Sequence, residues 1–293
     1  MELKRKPLNL ELESDYSYVM KALRKPKNRA NSSLSTVSAD RQAIKRSFYL
    51  ILAFLFAACN GENVPDCFQN AGDLTRRTVE LSNFTKITVF ENINLVLSEG
   101  DTQRVEIETG EFLQSEVSAK VSGDRLILEN ANGCNFIREY GLTTIYVTSP
   151  NIEEIRSSTG LLISSNGVLS YPNLSLISES FINPEAEPTD VSFDLDLNAT
   201  SISVLVNGIA YFRLHGTTTN LNVNIPAGDS RVEAENLVAQ NVSVNHRGTN
   251  DIWVNPQQRI SGTIRSTGDV VSINRPPEVD VEEIFNGRLI FRD

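Results

Sequence analysis

Residues 208–267 divide into three consecutive stretches of equal length, GIAYFRLHGTTTNLNVNIPA (208–227), GDSRVEAENLVAQNVSVNHR (228–247) and GTNDIWVNPQQRISGTIRST (248–267). Each stretch has 20 residues and begins with a glycine, and Gly268 begins a fourth. Apolar residues recur at the fourth and sixth positions after these glycines, as Phe212/Leu214, Val232/Ala234 and Ile252/Val254. A second apolar group follows later in each stretch, as Leu221/Val223/Ile225, Val242/Val244 and Ile260/Ile264. A period near 20 with two or three short strands per unit is typical of a β-solenoid.

The repeat has a simple physical interpretation. Each coil of a β-solenoid buries alternate side chains, while its backbone pairs with the coils above and below in parallel ladders. Glycine suits the corners, because a corner often needs a positive φ or a close approach of two backbones. A leucine-rich repeat is the competing fold for a period in the twenties, but its L-x-x-L-x-L-x-x-N signature is missing here. The sequence therefore predicts an all-β, single-stranded parallel β-helix with coils of ~20 residues.

The remainder of residues 76–293 is also strand-like. Short β-branched segments are separated by turn signals such as Gly100-Asp101 and Gly123-Asp124, and no segment has a helical apolar period over three turns. The stretch NPEAEPT (183–189) contains two prolines, which cannot continue a central strand, and it predicts a loop. Near the end, IFNGRLIF (284–291) has an Asn-Gly pair between apolar residues. This pair predicts a hairpin within residues 278–293 that would cap the open end of the solenoid.

Residues 48–59, FYLILAFLFAAC, have the features of an export signal. The eleven apolar residues 48–58 are too few to span a bilayer as a helix. Lys45 and Arg46 precede them and small residues follow, which is the order of a secretory signal. The sequence FAAC resembles a bacterial lipobox, in which the cysteine is acylated and the signal is cleaved before it. The alternative is a buried core segment that happens to end in Ala-Ala-Cys.

This interpretation divides the chain into four parts. Residues 1–44 form a disordered leader or reflect a start codon assigned too early, because they are polar and have no apolar period. Residues 45–58 form the lipoprotein signal, residues 59–75 the lipid anchor and tether, and residues 76–293 the β-helix domain. The expected location is the bacterial outer membrane, where acylated Cys59 holds the chain.

The charge of the chain disfavours a nucleic-acid partner. The net charge is −10, and residues 1–58 hold 11 of the 27 basic and 5 of the 37 acidic residues. The chain after the signal therefore keeps 16 basic and 32 acidic residues, a net charge of −16. Such a surface repels phosphate backbones.

The three cysteines can be assigned if the first one carries lipid. With Cys59 acylated, Cys67 and Cys134 remain, and an oxidising compartment would let them pair. The alternative is two buried free thiols. Metal binding is disfavoured, because neither cysteine has a Cys or His partner at ligand spacing.

Four segments, in order, carry a resemblance to a known family: DCFQNAG (66–72), RTVELSNFTKITVFENINLVLSEGDTQRVEIETG (77–110), DRLILENANGCNFIREYGLTTIYVTSPNIEEIRSSTG (124–160) and TIRSTGDVVSINRPPEVDV (263–281). With the lipobox before them, they resemble the exported proteins of Bacteroidetes-type bacteria that carry the head GIN domain, described as putative auto-transporter adhesins. The resemblance implies a right-handed β-helix and identifies Cys67 and Cys134 as the family's paired cysteines. It supplies no catalytic motif.

Candidate catalytic residues are few. His215 and His246 have no metal-ligand spacing and no G-x-S-x-G motif accompanies them, so neither a metal nor a cofactor is predicted. In VSFDLDLN (191–198), Asp194 and Asp196 alternate with apolar residues and should face the same way, about 7 Å apart. That separation suits two carboxylates flanking a glycosidic bond, or a hard-cation site. The alternative is a solvated outer face of a strand.

Aromatic platforms for sugars are equally few. Tyr211 and Trp253 are candidates, because the residues after and before them, Phe212 and Ile252, take the inward positions. The alternative is ordinary surface packing. The sequence thus predicts a non-catalytic adhesion or interaction module that binds an envelope or extracellular polysaccharide or protein. A carbohydrate-active β-helix enzyme and a purely structural envelope lipoprotein are the alternatives.

Overall fold

The computed structural model of the chain describes residues 66–90, 92–134, 136, 139–180 and 189–292. The predicted leader 1–44, the signal 45–58, Cys59 and residues 183–188 of the predicted loop lie outside this part. Its regular structure comprises 17 strands and two short 3₁₀ helices, Asp66–Phe68 and Glu111–Glu116. None of its helices is both long and apolar enough to cross a membrane. The predicted all-β class is confirmed.

The strands follow one another along the chain as β1 (Leu74–Val79), β2 (Lys86–Val89), β3 (Asn94–Glu99), β4 (Arg104–Gly110), β5 (Val117–Ser122), β6 (Arg125–Asn130), β7 (Thr144–Ser149), β8 (Glu154–Ser157), β9 (Leu162–Leu169), β10 (Asn173–Ser178), β11 (Ser192–Val206), β12 (Tyr211–Ile225), β13 (Arg231–His246), β14 (Ile252–Ile264), β15 (Val270–Ser272), β16 (Glu278–Glu283) and β17 (Leu289–Phe291). Along most of them buried and accessible side chains alternate, because successive residues of a strand point to opposite faces.

The four long strands β11 to β14 carry the predicted repeat. They pair in parallel and in chain order, and the paired residues are 17 to 21 positions apart. Phe212, for example, lies beside Phe193 and Val232. The two halves of β14 pair with different strands, β15 and β16. The predicted period of about 20 residues is therefore present from β11 to β17.

The ladders form two sets. We call column A the ladders made by the second halves of β11–β14 together with β6, β2, β8, β10 and β16. We call column B the ladders made by the first halves of β11–β14 together with β7, β3, β9, β15 and β17. One coil of the chain contributes one segment to each column.

The amino-terminal strands depart from the predicted single-stranded parallel β-helix. β5 pairs antiparallel with β6, and β4 pairs antiparallel with both β1 and β7. The connection between β5 and β6 is only Gly123-Asp124, and Gly123 has a φ of 64°. So short a connection can join antiparallel strands only, since a parallel pair needs a crossover of a dozen or more residues. The coil order also differs from the chain order, because β2 lies between β6 and β8, and β3 between β7 and β9.

The predicted carboxyl-terminal hairpin was wrong. β16 pairs in parallel with β14, and β17 pairs in parallel with β15, so residues 278–291 form one more coil. Asn286-Gly287 occupies its corner. A Cβ at Gly287 would lie 2.2 Å from the carbonyl oxygen of Gly268 in the previous coil. Glycine is required here because two backbones approach closely, and this requirement leaves the same sequence signal as a tight hairpin turn.

The interior consists of the apolar positions that the repeat predicts. The paired groups after each glycine and the second apolar group of each stretch are all buried. Phe193 and Phe212, from neighbouring coils, stack in this core with ring centroids 4.8 Å apart and planes 10° apart. Offset aromatic contacts of this kind add stability beyond the burial of area.

The predicted disulfide is present between Cys67 and Cys134. The backbone N–H of Phe136 also donates to the carbonyl oxygen of Cys67 at 3.0 Å, and the rings of Phe68 and Phe136 lie 5.7 Å apart. The bond therefore ties the segment that precedes β1 to the connection between β6 and β7, as expected for a clip that follows a tether.

Candidate functional site

The outer side of column B collects the predicted site residues. Phe193, Leu195 and Leu197 are buried, so Asp194 and Asp196 face outward from β11 as predicted. The ladder places Asp194 beside Arg213 and Arg213 beside Glu233, while Trp253 lies beside Glu233 in the next coil. We call this surface the charged face; it comprises Asp194, Asp196, Tyr211, Arg213, His215, Arg231, Glu233 and Trp253.

Asp194 is held in an ion pair and is not a free member of a carboxylate pair. Nη1 of Arg213 donates to its Oδ2 at 2.9 Å, and Nε2 of His215 lies 3.5 Å from its Oδ1. Asp196 is exposed, and its backbone N–H donates to Oγ of Ser165 at 2.8 Å. The two aspartates therefore have different environments, because the guanidinium of Arg213 contacts Asp194.

Tyr211 is bound into the same network. Its hydroxyl donates to Oε2 of Glu233 and accepts from Nη2 of Arg213 at 3.3 Å. Partial burial and the neighbouring Glu233 carboxylate raise the pKa of the Tyr211 hydroxyl above its usual value. The guanidinium of Arg213 also lies over the Tyr211 ring, 5.2 Å from its centroid. The ring is thus covered on one side by a cation.

Trp253 has a similar neighbour. The guanidinium of Arg292 lies 4.9 Å from the centroid of the Trp253 ring. Sugar stacking on Tyr211 or Trp253 stays a prediction, and on the covered side it would require an arginine to move. The sequence analysis did not predict that Arg213 and Arg292 lie against these two rings. A position one period after Asp194, namely Arg213, could have been found by aligning the outward residues of successive coils.

The outer side of column A differs in character. From β10 to β14 its outward positions hold polar, uncharged residues, apart from Ile177, Leu205 and, at the far edge, Arg259. We call these polar residues the polar face; it comprises Asn173, Ser175, Ser201, Ser203, Asn220, Asn222, Asn224, Asn241, Ser243, Asn245, Ser261 and Thr263. None of them is charged, although the whole chain has a net charge of −10.

Amide side chains stack from coil to coil across the polar face. Nδ2 of Asn241 donates to Oδ1 of Asn220 at 3.1 Å, and Nδ2 of Asn245 donates to Oδ1 of Asn224 at 2.8 Å. Each asparagine has two donor hydrogens and two acceptor sites, so these bonds leave further capacity on every amide. Between the two stacks, Asn222 and Ser243 are exposed and form no side-chain hydrogen bond within the described part of the chain. Neighbouring coils are ~4.8 Å apart and alternate residues ~6.8 Å apart, which makes a regular array.

The two histidines occupy different environments. His215 is on the charged face, whereas His246 ends β13 and is fully buried. Burial lowers the pKa of the His246 imidazole below its usual value, and the nearby backbone of Asn250 and the carboxylates of Asp251 and Asp269 oppose this only in part. Within the described residues, no three His, Cys, Asp or Glu side chains are grouped so that they could hold a metal ion.

Comparison with known protein families identifies a related family. The sequence model of the family described as "Putative auto-transporter adhesin, head GIN domain" matches residues 83–276. A comparison with curated proteins finds no matching sequence.

Solved structures share the fold. A structure described as a putative adhesin from Bacteroides fragilis has 19% sequence identity and a TM-score of 0.66, covering 75% of this chain and 97% of that one. Two structures from Parabacteroides distasonis each have 13% identity and the same coverage. One is described as a putative adhesin, with a TM-score of 0.54, and the other as a putative lipid binding protein, with a TM-score of 0.52. At these identities the likeness concerns the fold alone.

Proposed function

This chain belongs to the family of putative auto-transporter adhesins with a head GIN domain, and we propose that it is a non-catalytic adhesion module anchored in the bacterial envelope. The module binds its partner through the lateral surface of its coils. Stacked coils provide an extended surface of this kind, which suits an elongated partner.

The polar face is the observation that carries this proposal. It presents amide and hydroxyl groups at regular spacing, and it lacks charge on a chain that is otherwise acidic. A neutral, hydroxyl-rich polymer can accept and donate hydrogen bonds to such an array without the cost of desolvating charges. The cores of protein–protein interfaces are instead enriched in aromatic residues, methionine and arginine. A neutral polysaccharide is therefore the partner that the polar face favours.

The charged face supports a non-catalytic role. A glycosidase needs one carboxyl group that can donate a proton and a second that acts as a base or nucleophile. Asp194 already accepts a hydrogen bond from Arg213 in an ion pair, so this carboxylate is engaged within the chain. The network Asp194–Arg213–Glu233–Tyr211 serves instead to connect the outer surfaces of three coils.

Anchoring and coil handedness complete the proposal. Acylated Cys59 holds the chain at the outer membrane, and the Cys67–Cys134 disulfide is supported by the oxidising conditions of that location. We infer that the parallel coils wind as a right-handed β-helix. Crossovers between parallel strands are right-handed in nearly all proteins, since the twist of the strands favours that direction.

Two paired substitutions test the binding face. Purified full-length chain in liposomes is offered to beads coated with a panel of neutral polysaccharides. Asn222→Arg with Ser243→Arg places two bulky cations at the centre of the polar face and should lower binding at least tenfold. The matched control, Asn236→Arg with Gln240→Arg, makes the same charge change at exposed positions of β13 outside the polar face and should bind like wild type.

Three results would contradict the proposal. They are equal binding by both paired variants, no binding by the wild type to any neutral polysaccharide, or binding to protein-coated beads alone. Salt gives an independent check. Binding through neutral hydrogen-bonding groups should change little between low and moderate ionic strength, whereas binding through the charged face should weaken as salt screens it.

A further inference from the structure

The two ends of the coil stack expose unpaired strand edges. At one end the edge strands are β5, which pairs with β6 of column A, and β1, which pairs with β4 next to column B. At the other end the edge strands are β16 and β17. Within the described residues, no strand pairs with the outer edge of any of these four. An open strand edge is a template for pairing with another chain.

The two ends are finished differently. The 3₁₀ helix Glu111–Glu116 joins β4 to β5 at the first end, with Leu113 buried beneath it. Arg77 covers only the start of β5, since its side chain donates to Oε1 of Gln114 and to the carbonyl oxygen of Val117 at 2.8 Å each. The second end has a group of exposed apolar residues, Val279, Ile284, Phe285 and Ile290, and the first end exposes Leu74 of β1. Exposed apolar side chains beside an open edge indicate a surface that a partner covers.

The edge strands of the two ends carry opposite charge. β16 (EVDVEE) has four acidic residues and no basic residue. β1 (LTRRTV) and β5 (VSAKVS) have three basic residues and no acidic residue. Two copies that met through their β16 ends would place like charges side by side, which destabilises a strand pair. The charges therefore favour contact between the second end of one copy and the first end of another.

The strand directions fix how such a contact is made. β16 runs with column A, and β5 runs antiparallel to column A, so β16 of one copy and β5 of the next are antiparallel in a coaxial stack. Aligning Asp280 with Lys120 keeps both side chains on the outer surface. The same alignment places Val281 opposite Ala119 and Val279 opposite Val121, which extends the apolar interior from one copy into the next.

The facing charges are accessible to a partner. The Lys120 side chain is 71% exposed, and its partner within the chain, Glu129, lies 3.8 Å away. The Asp280 side chain is 76% exposed, and Nη2 of Arg259 donates to it at 2.8 Å. Glu282, on the same side of β16, forms no ion pair with any described residue.

We propose that copies of this chain associate head to tail, with β16 of one copy pairing antiparallel with β5 of the next. A contact between two different surfaces does not close on itself without a suitable rotation, so it produces a linear assembly. The polar faces of successive copies would then form one longer surface, and this multiplies weak contacts to a polymer. The association does not depend on which polysaccharide, if any, the polar face binds.

Cysteine cross-linking in the full-length chain tests the contact. Asp280→Cys and Lys120→Cys are each expressed alone, expressed together as two separate chains, and combined in one chain as a double variant. The host is a bacterium that processes lipoproteins, and its membranes are oxidised mildly. Residues opposite each other on antiparallel strands have Cβ atoms ~4.5–5.5 Å apart, close enough for a disulfide after a small adjustment. We expect a cross-linked dimer when the two single variants are mixed, a ladder of larger species from the double variant, and no dimer from either variant alone.

Two controls measure cross-linking that arises from random collision and cross-linking through the cysteines of the wild-type chain. Asn222→Cys mixed with Lys120→Cys places an equally accessible thiol on the polar face and should give no dimer. Wild type under the same oxidation reports any cross-linking through Cys59. A dimer from Asp280→Cys alone would show a tail-to-tail contact and overturn the proposal. Failure of every combination to cross-link would also overturn it.

Light scattering tests the charge argument separately. Lys120→Glu places a carboxylate opposite Asp280 and should lower the average mass of the purified full-length protein at least twofold at equal concentration. Arg247→Glu makes the same charge change at an exposed corner away from both ends and should leave the mass unchanged. Equal average masses for the two variants would show that opposite charges do not stabilise the contact.

Discussion

Each side chain of a coil has its surroundings set by the residues about one period before and after it. Asp194 shows this clearly, because its neighbour Arg213 is 19 positions away in the chain. Alternation within VSFDLDLN was sufficient to predict that Asp194 and Asp196 point outward. The cation on Asp194 was not predicted, since the local pattern contains no information about the next coil. A residue in this fold is therefore best interpreted with its ladder neighbours.

His246 gives a prediction at the residue scale. Its lowered pKa means that the folded chain keeps the imidazole neutral while the unfolded chain takes up a proton below pH ~6.5. The free energy of unfolding should therefore fall as the pH falls below that value, by at most about 1.4 kcal/mol per pH unit. The measurement is urea unfolding of wild type and His246→Gln between pH 7.5 and 5.

His246→Gln removes this titration, so its stability should depend less on pH across the same range. His215→Gln, which alters the other histidine of the chain, should retain the steeper dependence of the wild type. Parallel pH profiles for wild type and His246→Gln would mean that the buried imidazole does not control stability in acid.

At the scale of strands and coils, the sequence predicted most where the repeat is regular. The inward positions after Gly208, Gly228 and Gly248 are buried as expected, because a period of 20 residues brings equivalent side chains into the same ladder. The sequence misled at Asn286-Gly287. A hairpin turn and a crowded coil corner both require glycine, and only the parallel partners of β16 and β17 distinguish them.

The amino-terminal strands show the limit of local sequence signals. The sequence predicts a turn at Gly123-Asp124, but it did not predict the antiparallel pairing of β5 with β6 that this turn produces. The position of β2 between β6 and β8 could not be predicted at all from local patterns. That order depends on which coils pair with each other. Many β-branched segments of similar length could pair at the same place in the ladder, so local patterns do not specify the order.

Phe212 gives a prediction at the element scale. It is fully buried and stacks on Phe193 of the neighbouring coil. Phe212→Ala should leave a cavity between two coils and lower the free energy of unfolding by about 3–5 kcal/mol. Urea unfolding at neutral pH measures this change. Tyr140→Ala removes an exposed aromatic ring and should change stability by less than about 0.5 kcal/mol; comparable losses in the two variants would contradict the inward assignment of the repeat.

For the whole molecule, the two columns separate two kinds of surface. Column B connects its coils with ion pairs and aromatic rings, and the polar face, in the β10–β14 part of column A, presents uncharged amides and hydroxyls. Exposed ion pairs contribute little to stability, so the ion pairs of the charged face stabilise the fold less than burial of the apolar core does. The separation leaves the polar face free of charge on an acidic chain, and this is the basis of the proposed adhesion to a neutral polymer.

Adhesion also requires that the chain be exported and held at a membrane. The signal 45–58 and Cys59 lie outside the described residues, so the sequence is the evidence for this step. The disulfide between Cys67 and Cys134 is consistent with an oxidising compartment. The described residues 66–73 lead into β1 at the first end of the coil stack, and β16 and β17 lie at the far end.

The intact mass of the protein tests the envelope-anchored account most directly. The full-length sequence is expressed in a bacterium that processes lipoproteins, and the membrane fraction is measured before and after reduction. The account predicts a chain that begins at Cys59, carries acyl groups and gains the mass of two hydrogens on reduction. A soluble chain that retains residues 1–58 and gains no mass on reduction would contradict it.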